Sequence, residues 1–154
     1  MGDTTGTHPM PSGNKYLYKN DFPDDFSHEV AILVEFAPQQ HAIISPCSHN
    51  GILNILPLLT SSQGANSEKA PIRTSSHGAV YFIGGLHYVD YLSEEDAKKE
   101  AAQIVQAAVY IKNHYPNLKV FSGHCTGSAA REVLQDALKE NYTHFHTGST
   151  IELK

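Results

Sequence analysis

Leu118-Lys-Val-Phe121 leads into Ser122-Gly-His-Cys-Thr-Gly127, and a stripe of Ala130, Val133, Leu134, Ala137 and Leu138 follows. A short apolar run, a turn of small residues and then helical spacing read as strand, turn and helix. The same unit stands twice upstream. His41-Ala-Ile-Ile-Ser45 precedes Pro46-Cys-Ser-His-Asn-Gly51, and Ile52, Ile55, Leu56 and Leu59 then repeat at i, i+3, i+4 and i+7. That spacing predicts a helix over 48–59, which Pro57 would kink or shorten. Ala79-Val-Tyr-Phe-Ile83 precedes Gly84-Gly-Leu-His87. Ser93, with Asp96 three residues on, forms a capping box in which Asp replaces the usual Glu or Gln. The helix it opens carries Ala97, Ala101, Ile104, Val105, Ala108 and Ile111 on one face, and Pro116-Asn117 ends it.

Glu29-Val-Ala-Ile-Leu-Val-Glu-Phe36 is a further apolar run, broken by Pro38-Gln-Gln40, and predicts a hairpin with the strand 41–45. Two short strands are expected near His144–Thr147 and Thr150–Leu153. Residues 1–22 lack periodicity and read as an irregular arm. Ser61–His77 reads as a long polar surface loop. The expected order is β-β-α-β-α-β-α-β-β, an α/β layer structure.

Length and composition narrow the function. At 154 residues the chain has the size of one domain. Eleven Lys and Arg against sixteen Asp and Glu give a net charge of −5, so the basic footprint of a nucleic-acid binder is missing. The longest apolar runs, Val30–Ala37 and Ile52–Leu59, are too short to span a bilayer, which argues against a membrane partner. Met1–Gly6 is polar with no apolar leader, and the two Cys cannot make a disulfide framework, so a cytoplasmic location is expected. No G-x-S-x-G, Walker loop or G-x-G-x-x-G occurs.

The excess is in histidine, with ten in the chain. Three share one context: His49, His87 and His124 each follow a predicted strand among small residues. Ligands collect at the carboxyl ends of strands in α/β folds, so the three can converge on one site. Neutral imidazoles suit a divalent metal, zinc first, with manganese or iron as alternatives. A histidine at a strand end is also commonly just hydrogen-bonded or exposed. Cys47 and Cys125 lie within two residues of these histidines. They read either as thiolate ligands or as small buried apolar residues. Asp24-Asp25-Phe26-Ser27-His28-Glu29 reads either as acids and a histidine that support the ligands from behind, or as a solvated loop. His144 and His146 make an H-x-H pair on a strand, for which a half-buried face is the simpler explanation. His8 lies in the arm, His77 in the loop, and His114 at a helix end, where its charge complements the dipole.

Taken together, Cys47-Ser-His-Asn-Gly-Ile52 with Asn54, Gly84-Gly-Leu-His87, Gly123-His-Cys-Thr-Gly127 and Gly148-Ser-Thr-Ile-Glu-Leu153 resemble the C-terminal half of the metallo-β-lactamase-fold hydrolases. The resemblance is to the branch labelled 7,8-dihydropterin-6-yl-methyl-4-(β-D-ribofuranosyl)aminobenzene 5′-phosphate synthase, and it runs from about Asp24 to Leu153. It implies that residues 23–154 are half of an αββα sandwich. It carries the family's late metal-ligand histidine onto His124 and places His87 in the same cleft. His49 follows the strand after which the wider fold places a bridging Asp, which makes it a ligand candidate. Cys47, Cys125, His28, Glu29 and Asp25 would stand behind these ligands. The family's first metal motif, H-x-H-x-D-H, is absent; Pro46 stands where the branch has Gly, and Tyr88 where it has Leu.

In the family a metal-bound hydroxide attacks a phosphoryl or carbonyl centre. The resemblance therefore implies a metal-dependent hydrolase or synthase acting on a small phosphoester or pterin-type substrate, incomplete in this chain. The alternative is a non-catalytic remnant, or a half-domain that assembles with a complementing N-terminal half or with a second copy. An uncovered apolar sheet face would favour such partners.

Overall fold

Residues 8–19, 21–59, 79–90 and 92–154 are described by the structure, a computed structural model. The expected loop over 61–77, with His77, lies outside them. The arm holds more order than its lack of periodicity announces. A 3-10 turn spans Ser12–Tyr16, and β1 (Tyr18–Lys19) pairs antiparallel with β2 (Phe22–Pro23). Polar bonds rather than an apolar stripe hold it: Tyr16 donates its hydroxyl to Asp96 at 2.8 Å, and Lys15 pairs with the same carboxylate.

The main sheet begins as the sequence predicts. β3 (Ile32–Ala37) and β4 (Gln40–Ser45) form an antiparallel hairpin, turning at Gln39 in the left-handed region, φ 61°. Three parallel strands follow in chain order: β5 (Val80–Gly84), β6 (Leu118–Ser122) and β7 (Tyr142–His144). The sheet order is β3-β4-β5-β6-β7, so each parallel strand neighbours its predecessor. Right-handed crossovers in one direction put every connecting helix on one face. The helices are α1 (Ile52–Ile55), α2 (Glu94–His114) and α3 (Ser128–Leu138). One register row, Ile43, Phe82, Val120 and Tyr142, meets Ile52, Leu56, Ile104, Ile111 and Leu134 in the core. Burying a side chain such as Phe82 or Leu134 contributes about 1.5–3 kcal/mol.

Three expectations need correction. α1 starts at Ile52 rather than Ser48, because Ser48–Gly51 forms a turn with Ser48 at φ 61° and Gly51 at φ 83°. It tightens to a 3-10 turn at Leu56–Leu59, where Pro57 has no N–H for an α-helical bond. The inward face of α2 is also displaced. Asp96, Glu100, Ile104, Ala107, Ala108 and Ile111 are buried, whereas Ala97, Ala101 and Val105 are exposed. The first turns of α2 face the polar arm instead of the sheet, so acids and not alanines line them. Finally, the ninth element of the expected order is missing. Residues 150–154 join no ladder, and the order through the main sheet is β-β-α-β-α-β-α-β. A turn in which Ser149 N–H donates to the His146 carbonyl, with Gly148 at φ 88°, takes the chain away from β7. Its end crosses the helix-free face, where Lys154 N–H donates to the Tyr81 hydroxyl at 3.0 Å.

That second face carries a row of Ile32, Ile44, Ile83, Phe121 and Thr143. Ile32 and Ile44 are 55% and 41% exposed, and every residue of β3 is at least partly open. Among the described residues, no helix is long and apolar enough to cross a membrane.

Candidate metal centre

Ser45, Gly84, Ser122 and His144 stand in one register row at the carboxyl ends of β4 to β7. The loops leaving β4, β5 and β6 therefore start side by side, and they carry His49, His87 and His124. Main-chain bonds tie loop to loop. Gly85 N–H donates to the Pro46 carbonyl at 2.9 Å, Gly123 N–H to the Gly84 carbonyl at 3.1 Å, and Gly127 N–H to the Tyr88 carbonyl at 2.6 Å. Gly85 permits this approach: a Cβ there would collide with Cys125 Sγ and with the carbonyls of His124 and Pro46. Ser48, His87 and Cys125 all adopt left-handed backbone, at φ 61°, 49° and 49°. Non-glycine residues rarely do so, and such residues cluster at functional sites.

His49 is held from several sides. Its N–H donates to Glu29 Oε1 at 2.6 Å, and Asn50 N–H donates to Glu29 Oε2 at 2.9 Å. Its ring stacks on Phe26, with centroids 4.5 Å apart and planes 2° apart. On the other side it meets the His87 ring at 3.9 Å. The Asn14 amide donates to the His49 carbonyl at 2.6 Å, and Asn14 Oδ1 lies 3.3 Å from His49 Nδ1. His87 is only 5% exposed, and neither ring nitrogen has a hydrogen-bond partner among the described residues. An imidazole buried with both nitrogens unsatisfied costs stability unless something else binds it.

Burial and neighbouring charge both act on His49 and His87. Burial lowers the His87 pKa to about 4, helped by repulsion from His49 and His124. Burial also lowers that of His49, partly offset by attraction to Glu29 and Asp24. Both rings are thereby kept neutral, the form that binds metal. His124 is exposed.

The three imidazoles do not gather into one compact ligand group. Among the described residues, the one group of three donor atoms within 4.8 Å of one another is Cys47, His124 and Cys125. His49 and His87 instead pair with each other, their rings tilted by 46°. Two thiols and an imidazole are a soft to borderline donor set, and zinc suits it. The Cys125 thiol is pushed up to about 12, chiefly by burial. It donates to the Cys47 carbonyl at 3.6 Å.

The segment 24–29 divides. Glu29 supports the His49 loop directly. His28 is exposed, with Nδ1 3.7 Å from Asp24 Oδ1. Asp25 lies in an exposed bend, where Ser27 N–H donates to it at 3.0 Å. Among the described residues, the remaining histidines lie away from this group. Arg131 lies 3.1 Å from His144 Nε2, and His146 is past the end of β7 and exposed. His41 approaches Glu35 at 3.9 Å, and His8 sits edge-on to Tyr110 at 5.0 Å. His114 Nδ1 reaches the Tyr110 carbonyl at 3.0 Å, within the last turn of α2.

Two residues at the site escaped the sequence reading. Asn14 lies in an aperiodic stretch 35 residues from its partner, and nothing local marks it. Phe26 had a signal, a lone aromatic within a polar string, and its role is to floor the His49 ring.

No protein-family model matches the chain. The chain is similar to a 7,8-dihydropterin-6-methyl-4-(beta-D-ribofuranosyl)-aminobenzene-5'-phosphate synthase of Methanocaldococcus jannaschii, with 30% identity over 150 residues. The aligned region covers 97% of this chain, but the chain spans only 42% of the length of that relative.

Proposed function

We propose that this chain is one half of a metal-dependent biosynthetic enzyme of the metallo-β-lactamase type and contributes part of its metal site. The observation that carries the reading is the alignment of three parallel strand ends whose neighbouring loops carry His49, His87 and His124. A divalent ion, zinc first and manganese or iron as alternatives, would be held there and would lower the pKa of a bound water. The substrate class is a small phosphoester or pterin-type molecule, the kind named for the archaeal relative. Glu29, Asn14 and Phe26 fix the His49 loop, and Gly85 lets the His87 and His124 loops close on each other.

The helix-free face supports the other part of the proposal. Helices cover one face only, and Ile32, Val34, Phe36 and Ile44 remain exposed on the other. A complementing N-terminal half, seated sheet on sheet, would bury this row and complete an αββα sandwich. The relative is more than twice as long as the matched region, which is room for such a half.

Hydrolysis of a chromogenic phosphodiester tests the reading. The zinc-loaded chain is assayed alone and mixed with a polypeptide corresponding to the part of the archaeal relative outside the match. Turnover in either arm, lost in His124→Ala, is the expected result. No turnover in both arms, or turnover that survives His124→Ala, contradicts it.

A further inference from the structure

The ion at this site has a more definite address than the three imidazoles provide. The geometry points to Cys47, His124 and Cys125 as a thiolate-rich ligand set for a thiophilic divalent metal, zinc, with a fourth position left open. This rests on the reading of the strand-end loops as a metal centre, and it changes which side chains do the binding.

Three observations converge. The donor atoms of these residues lie within 4.8 Å of one another. Ligands on a tetrahedral zinc stand roughly 3.5–3.8 Å apart, given Zn–S near 2.3 Å and Zn–N near 2.0 Å. Modest side-chain rotation closes that gap. A disulfide would instead need the sulfurs to close to about 2.05 Å.

The backbone is also shaped for this contact. Gly85 is the residue whose missing Cβ makes room for Cys125 Sγ, and Cys125 itself holds a left-handed φ of 49°.

Lastly, the site has a buried polar neighbour. Among the described residues, neither ring nitrogen of His87, which is 5% exposed, has a hydrogen-bond partner. Two thiolates and one imidazole leave zinc an open coordination position, the arrangement found at catalytic rather than structural zinc. A water in that position would give the buried His87 ring a partner.

The test is cobalt substitution of the reduced full chain, using Co²⁺ alone as the probe. The expected spectrum has a sulfur-to-cobalt charge-transfer band in the near ultraviolet and tetrahedral d–d bands in the visible. Cys47→Ser should lose about half of the charge-transfer intensity, since one of two thiolates remains. Cys47→Ser/Cys125→Ser should lose all of it, and His114→Ala, at the far end of α2, should keep it. Because Cys125 is packed against Gly85, a second readout uses the unmodified chain: zinc should protect both thiols from alkylation, with release on chelation. A bound metal with no charge-transfer band, or thiols alkylated equally fast with and without zinc, overturns this ligand set while leaving a histidine metal centre standing. No metal bound at all overturns both.

Discussion

At the scale of single residues, the site is a set of backbone concessions. Ser48, His87 and Cys125 each accept a left-handed φ that costs an L-residue about 1–2 kcal/mol. All three fall in the loops that follow β4, β5 and β6, and nowhere in the helices or the sheet interior. Gly85 is the point where those loops touch. Gly85→Ala should therefore separate the His87 loop from the Cys125 loop. We expect bound zinc to fall well below one equivalent and the melting temperature to drop, as read by metal analysis and thermal denaturation. A variant with wild-type zinc content would show that the loop contact at Gly85 is not needed. The sequence made part of this legible. His49, His87 and His124 could be found by their shared position after strands. The grouping of His124 with the two thiols could not, because it depends on which way each left-handed turn throws its side chain.

At the scale of elements, the strand-turn-helix units were readable because each helix has its own periodicity. α3 buries Ala130, Leu134 and Leu138, as the spacing predicts. α2 was misread on its first turns because long-range polar partners, not apolar residues, cover them. Its Glu100 is buried and accepts Val89 N–H at 3.0 Å, a contact that no 3.6-residue pattern encodes. α3 likewise takes its N-terminal cap from a distant loop. Asp90 accepts both the N–H and the hydroxyl of Ser128, at 2.8 and 3.1 Å. The Ser128 N–H lowers the Asp90 carboxyl pKa, the largest of several causes. A depressed carboxyl stabilises the fold above its ordinary range and loses that effect as pH falls through the lowered value. Asp90→Ala should cost about 1 kcal/mol at neutral pH. The gap to the unmodified chain should close below the carboxylate range, as read by denaturant titration at several pH values. A gap that is independent of pH would contradict the capping role.

At the scale of the whole molecule, the sheet is asymmetric. One face carries three helices and the core; the other carries exposed Ile32 and Ile44 in register. The consecutive strand order forces this, because like-handed crossovers stack their helices on one side. It also aligns the carboxyl ends of β4, β5 and β6, and thus creates the site. The open face and the convergent site are two results of one topology. The open face was legible only through the resemblance to half a sandwich, since a half-buried strand and an uncovered one show similar alternation. We propose that the aligned strand ends hold a metal through His124. Metal analysis of the purified chain, after dialysis against trace zinc, tests it most directly. One equivalent of zinc per chain, falling well below one in His124→Ala, is the expected result. Less than one equivalent in the unmodified chain, unchanged by His124→Ala, would contradict the account.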